Sequence, residues 1–246
     1  MSLLKGKKGI VTGVVNEYSF AYHILKSLQE QGAEVGLAYL PGKAVERRIK
    51  KIAENEDISF TCPMDAQSDE SIEEGFAAIK SDFGDIDFFV HSLAFAKSDD
   101  LEGTFVDTTR EGFALALDVS AYSLIPMARE AAKIMPNGGS IITMSYLGSE
   151  RVIPNYNVMG VAKAALGLGA GTLAYDLGRG NIRVKCHLCR PSENAGRLGR
   201  GDILNKLSIY PGKVAPMKRN SKRALIATLG DSSVYLLSHL SSGVTG

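Results

Sequence analysis

Short β-rich apolar runs alternate with helical stretches along almost the whole chain, and this alternation is what most restricts the fold. Strands are expected at 8–13, 34–39, 58–62, 86–90, 140–145 and 182–187. Helices are expected at 19–31, Lys43–Asn55, 68–83, 110–135, 156–177 and 221–240. A strand, helix, strand series with short connections builds one parallel sheet covered by helices on both faces. The run at 86–90 is apolar throughout, as suits a central strand buried on both sides. No repeat, low-complexity tract or linker interrupts the series, so residues 1–246 are expected to form a single doubly wound α/β domain.

Charge narrows the classes of partner. With 28 basic and 27 acidic residues the net charge is +1, too little to draw the protein to nucleic acid or an anionic membrane, so neither is expected and a small-molecule partner fits better. The first residues lead directly into an apolar strand, without a long leader or a spanning stretch, and a cytoplasmic protein is expected. Cys186-His187-Leu188-Cys189 has the C-x-x-C spacing of zinc and redox sites. A structural zinc site needs a second ligand pair, and His23, His91 and His239 are scattered, so no metal is expected.

Two constellations carry chemistry. The first is the turn Thr12-Gly13-Val14-Val15-Asn16-Glu17-Tyr18-Ser19-Phe20-Ala21 after the first strand. A glycine turn between strand and helix aims backbone N–H groups and the positive helix end at a pyrophosphate. It lacks the full G-x-G-x-x-G pattern, so a plain strand-to-helix turn is the competing reading. The second is Tyr146, Tyr156 and Lys163. Seven residues make nearly two helical turns, which puts Tyr156 and Lys163 on one face about 10 Å apart along the axis. A lysine near a phenol is expected to lower its pKa and make it a better proton donor. A packed tyrosine beside a solvated lysine is the bland alternative.

Four segments carry a resemblance. They are His91-Ser92-Leu93-Ala94-Phe95-Ala96, Thr109-Arg110-Glu111-Gly112-Phe113, Ser145-Tyr146-Leu147-Gly148-Ser149-Glu150-Arg151 and Asn155-Tyr156-Asn157-Val158-Met159-Gly160-Val161-Ala162-Lys163-Ala164. Together they resemble the enoyl-acyl-carrier-protein reductases, a divergent branch of the short-chain dehydrogenase/reductases. The Tyr-x6-Lys pair is the most specific piece, since ordinary superfamily members use Tyr-x3-Lys and Gly160 stands at that position here.

The resemblance implies a Rossmann-like fold and hydride transfer from NADH, with NADPH possible, to the trans-2 double bond of an enoyl thioester on acyl carrier protein. It implies Tyr156, Lys163 and Tyr146 as catalytic residues. Gly13, Ser19 and Phe20 would lie at the pyrophosphate, Leu40 near the adenosine ribose, Asp65 and Ala66 beside the adenine, and Leu93 behind the cofactor. Lys163 would also hold the nicotinamide ribose, and Ala96 would lie near substrate. A lid around 191–210 and a homotetramer complete the family pattern.

The chain departs from that pattern in places. His23 stands in place of a glycine and is expected to crowd the helix under the cofactor. Leu40 replaces a polar residue, and Lys43 follows where an acid could take a ribose hydroxyl. Gly167, Gly169 and Gly171 are expected to weaken the helix that bears Tyr156 and Lys163. The chain stops at Gly246 where the family continues, so the last strand is expected to be missing. From Lys185 to Arg200 the family's Ser-Ala-Gly-Pro strand end and threonine-bearing loop are replaced. Deleting one base near codon 185 of a plausible gene restores Asn-Ala-Ile-Ser-Ala-Gly-Pro-Val-Lys-Thr, so a compensated frameshift, returning to frame near Gly201, is expected. These departures leave a decayed relative that binds dinucleotide with little turnover as the alternative to an active reductase, with another short-chain reductase third.

Overall fold

The computed structural model describes residues 2–189 and 223–246. Its six strands are β1 (Lys8–Thr12), β2 (Glu34–Tyr39), β3 (Thr61–Pro63), β4 (Phe88–His91), β5 (Gly139–Tyr146) and β6 (Ile182–Cys189). They form one sheet in the order β3-β2-β1-β4-β5-β6, and every pairing is parallel. The order reverses between β1 and β4, and in an open α/β sheet ligands bind outside the carboxyl ends of the strands at such a reversal.

The helices are α1 (Phe20–Glu30), α2 (Lys43–Asn55), α3 (Asp69–Ala78), α4 (Ser98–Leu101), α5 (Arg110–Leu117), α6 (Leu124–Lys133), α7 (Asn157–Leu177) and α8 (Arg223–Leu237). The strands' apolar residues alternate between two cores, as period-two side chains must. Ile10, Phe89 and Ile141 pack with α3, α6 and α7. Val11, Val90 and Ile142 pack with α1, α2 and α8 on the other face.

The long helix expected over 110–135 is broken. After α5 comes a π-turn, Asp118–Tyr122, closed by Ser123 N–H donating to Asp118 O at 3.0 Å, and α6 then restarts at Leu124. Pro126 is the physical reason. It has no N–H to donate to the preceding turn, and it is tolerated in the first turn of a new helix. Strand β3 begins three residues later than expected and β4 two, because Ile58 N–H is spent on Ala53 O and Ile86 N–H on Ile134 O.

Helix α7 continues to Leu177 despite its glycines. The stretch Asn157–Gly180 is long and apolar enough to cross a bilayer by length and composition, with a mean hydropathy of 1.3. One stripe of it, with Ala162, Lys163, Leu166 and Ala170, is buried in the protein. The opposite stripe exposes Val161, Leu168 and Tyr175. At the β6 edge Gly246 N–H donates to Val184 O at 2.9 Å and Val184 N–H donates to Thr245 Oγ1 at 3.1 Å, so the last described residues lie along that strand.

Candidate active site

The expected site residues gather along the carboxyl edge of the sheet. Gly13 follows β1 with φ +82°, and a Cβ there would stand 2.0 Å from Ser92 O, so both backbone sign and close approach demand glycine. Thr12 Oγ1 donates to Val90 O at 3.0 Å and accepts from Ser92 N–H at 3.2 Å, which ties the ends of β1 and β4 together at the reversal. Ser19 caps α1, accepting from Tyr22 N–H, and Phe20 is its first residue.

The first turns of α2, α3 and α5 carry Glu46, Asp69 with Glu70, and Glu111, whereas those of α1, α6 and α7 carry no acid. An uncompensated positive helix end at the sheet reversal fits the pyrophosphate of a dinucleotide. Leu40 follows β2 and is exposed, while Asp65 and Ala66 follow β3 with Asp65 Oδ1 accepting from Gln67 N–H. Leu93 and Ala96 lie in the loop after β4. His23 sits edge-on to Tyr22, and Ala21, Ile24, Leu25 and Leu28 are the apolar residues that α1 buries. The expected crowding is therefore absent, because position 23 lies off the stripe that faces the sheet.

Tyr146, Tyr156 and Lys163 come together at the end of β5. The two tyrosine rings meet edge to face, centroids 4.9 Å apart and planes at 80°. Lys163 Nζ donates to Met144 O at 2.8 Å and to Leu93 O at 3.2 Å, bridging the ends of β5 and β4. Burial pushes this ammonium down to about 8. The lysine was expected to lower the Tyr156 phenol. Instead burial, followed by Tyr146 and Cys189, raises it above the ordinary range, because Lys163 spends its donors on backbone carbonyls. Burial thus favours the protonated phenol at Tyr156.

Several supporting residues escaped the sequence reading. Asn155 and Asn157, with φ of 63° and 37°, flank Tyr156 in the left-handed region, where asparagine is tolerated. Asn157 Nδ2 also holds Asp100 O and Gly103 O. A Cβ on Gly148 would stand 2.3 Å from the Tyr156 ring, and one on Gly160 would stand 2.9 Å from Gly148 O. Glycine at 160 thus lets the turn Leu147–Ser149 close against α7, which is why no lysine can occupy that position.

His91 is fully buried, with Nδ1 2.9 Å from Thr143 Oγ1 and Nε2 2.9 Å from Ser123 Oγ. Ser123 gives its proton to Val119 O, so the ring donates through Nε2–H and accepts from Thr143. Burial, then Lys163, pushes this imidazole down to about 3, and it is neutral. Ser120, placed inward by the π-turn, accepts from Phe95 N–H at 2.9 Å and fixes the loop bearing Leu93 and Ala96. An Asx or serine signal in sequence could not have found these partners, which come from distant elements.

Cys186 and Cys189 belong to different faces of β6, since a spacing of three in a strand reverses direction, and each packs into its own core. Among the described residues no three potential metal ligands gather. The lid at 191–210 and the remainder of the anomalous stretch after Cys189 lie outside the described residues.

Comparison with known proteins decides the family. The sequence model of the Enoyl-(Acyl carrier protein) reductase family matches residues 13–246. The chain belongs to that family. It is thus an oxidoreductase of the CH–CH class. Among curated reductases it is 42% identical over 244 residues to the NADH enoyl-[acyl-carrier-protein] reductase FabI of Rickettsia bellii, covering 99% of this chain and 91% of that one. The FabI of Bacillus cereus is likewise 42% identical, over 100% and 95% of the two chains. A crystal structure of the Bacillus cereus reductase with NADP+ and an indole naphthyridinone superposes with a TM-score of 0.91, covering 100% of this chain and 94% of that one. FabI from Candidatus Liberibacter asiaticus superposes at 0.94 with 36% identity, over 100% and 93%.

Proposed function

We propose that this reductase family member transfers hydride from NADH to the β-carbon of a trans-2-enoyl thioester carried on acyl carrier protein, in fatty-acid elongation. The observation that carries the reading is Tyr156 stacked edge to face on Tyr146, seven residues from a buried Lys163 at the carboxyl edge of β5. When bound, the nicotinamide supplies the hydride. The residues of the chain do the rest.

Tyr156 donates its O–H to the thioester carbonyl oxygen and stabilises the negative charge that develops there as hydride arrives, an interaction stronger in the transition state than in the ground state. Tyr146 packs on the Tyr156 ring, holds its orientation and walls the acyl side of the pocket, with Ala96 beside the substrate. Lys163 holds the nicotinamide ribose and raises the local positive potential. Gly13, Ser19 and Phe20 receive the pyrophosphate at the α1 end, Leu40 lies by the adenosine ribose, Asp65 and Ala66 flank the adenine, and Leu93 backs the cofactor. By resemblance, one domain over 1–246 carries a substrate lid at about 191–210. The protein works in the cytoplasm as a homotetramer. The exposed apolar stripe of α7, with Leu168 at 78% and Tyr175 at 79% exposure, supports assembly through that face.

Loss of NADH absorbance on adding crotonyl thioester to the purified chain tests the reading. Turnover is expected, and Tyr156→Phe is expected to lower kcat by about tenfold or more, the roughly 10²–10⁴-fold worth of a positioned proton-donating group discounted for partial rescue by Tyr146. Bound NADH without turnover would point to the decayed alternative, and an unchanged kcat in Tyr156→Phe would remove that residue from the chemistry.

A further inference from the structure

Tyr156 is presented by backbone that few residues adopt. Asn155 and Asn157, on either side of it, both lie in the left-handed region, with φ of 63° and 37°. Such backbone costs energy and persists where the surrounding contacts fix it. Asn157 is the first residue of α7, so its conformation sets the direction in which Tyr156 leaves the helix end. Glycine or aspartate would tolerate that φ as well. What asparagine adds is a side-chain NH2.

That NH2 has two hydrogens and spends both on a separate segment. Nδ2 donates to Asp100 O at 3.4 Å and to Gly103 O at 3.3 Å. Both acceptors are carbonyls at the exit of α4, which so short a helix leaves open. Among the described residues, these two are the hydrogen bonds that tie 97–108 to the rest of the chain. The others made by that segment, such as Asp100 N–H to Lys97 O and Thr104 Oγ1 to Asp107, are internal to it. The segment begins one residue after Ala96, which the proposed site sets beside the substrate. Asp100 is buried, and a Cβ on Gly112 would stand 2.0 Å from its Oδ2, so α4 is seated between α5 and α7.

From this geometry we infer that Asn157 is a positioning residue. It fastens the substrate wall formed by Ala96 and α4 to the backbone that presents Tyr156, so that the Tyr156 O–H and the acyl group keep one alignment as hydride arrives. The inference rests on the reductase reading proposed above. Alignment of this kind counts most in the transition state, where a misplacement of about 1 Å can cost on the order of 10²-fold in rate.

Two substitutions in the full chain separate side chain from backbone, since both keep the left-handed φ. Asn157→Gly removes the donor. It is expected to lower kcat with crotonyl thioester by about tenfold and to leave the NADH dissociation constant within about twofold, because Lys163 and the α1 end are untouched. Asn157→Asp is nearly isosteric but turns a carboxylate toward two carbonyl oxygens. It is expected to be slower than Asn157→Gly at about pH 7.5 and to regain rate relative to the unsubstituted chain toward about pH 5.5, as protonation restores one O–H donor. Circular dichroism at each pH establishes that the fold is intact. Should Asn157→Gly unfold, the Asn157→Asp chain compared with itself across pH carries the test. An unchanged kcat in Asn157→Gly would overturn the inference. So would equal losses of kcat and NADH affinity, or an Asn157→Asp rate that stays flat relative to the unsubstituted chain across that pH range. Each of these leaves the reductase reading standing. No turnover by the unsubstituted chain would instead remove that reading, and the inference would fall with it.

Discussion

In the proposed site Lys163 supplies the charge at the nicotinamide end, and burial decides when that charge is present. Its partners are the neutral carbonyls of Met144 and Leu93, and burial outweighs the opposing influence of Cys186 and Cys189, so the ammonium is pushed down to about 8, below the usual 10.5. Below pH 8 the group is cationic both folded and unfolded. Between about 8 and 10.5 the unfolded chain keeps a proton that the folded chain has released, so stability rises with pH while the functional cation disappears. NADH affinity is therefore expected to decline above pH 8, and Lys163→Arg is expected to flatten the decline because a guanidinium stays charged. Fluorescence titration of NADH from pH 6.5 to 9.5 checks this, and a wild-type profile flat across that range would contradict it. Tyr156 moves the opposite way for the same reason, since burial penalises the charged form of each group.

At the scale of the element, α7 must be long enough to seat Tyr156 and Lys163 yet carries four glycines, three of them, Gly167, Gly169 and Gly171, beyond Lys163. A Cβ on Gly169 or Gly171 would meet nothing within 4 Å, and one on Gly167 would reach only Cys186 Sγ at 4.0 Å. Among the described residues the glycines at 169 and 171 thus have no packing role. Gly169→Ala and Gly171→Ala are each expected to raise unfolding free energy by about 1 kcal/mol, read from urea midpoints at constant m. A loss of stability in either variant would show that the position is covered by a neighbouring subunit.

The end of β6 shows how an anomalous stretch is absorbed. Lys185 is buried, yet Nζ donates to Ser140 Oγ at 2.9 Å and to Leu236 O, near the carboxyl end of α8. Arg183 adds bonds to Ser238 O at 3.0 Å and Ser241 O at 2.8 Å, so two basic side chains satisfy carbonyls at and beyond the helix end. Whether codon 185 follows a single inserted base is a question for the gene, and one extra base there matched by one missing near codon 200 is the expected finding.

For the whole molecule, the exposed stripe of α7 continues the theme of unpartnered apolar surface. Tyr122 and Ile125, at the π-turn and the start of α6, are exposed at 46% and 42%. Apolar residues spaced along one helix face usually mark an interface. Sedimentation equilibrium is expected to give four times the 26.3 kDa chain mass, and Leu168→Lys is expected to shift the protein toward smaller species. A monomer at micromolar concentration would overturn the assembly.

The sequence by itself determined the order of the strands and main helices and the parallel sheet, because strand and helix periodicity are local properties of the chain; the resemblance singled out Tyr146, Tyr156 and Lys163, whose spacing alone also suits a packed tyrosine and a solvated lysine. The tertiary structure alone decided that Lys163 binds the carbonyls of Met144 in β5 and Leu93 after β4 instead of tuning a phenol. It alone disclosed the His91, Ser123 and Thr143 bonds, the π-turn that carries Ser120 inward and the reach of Arg48 to Val15. Each of these depends on which distant segments meet and how much water their meeting removes, and neither quantity is written in any local stretch of residues.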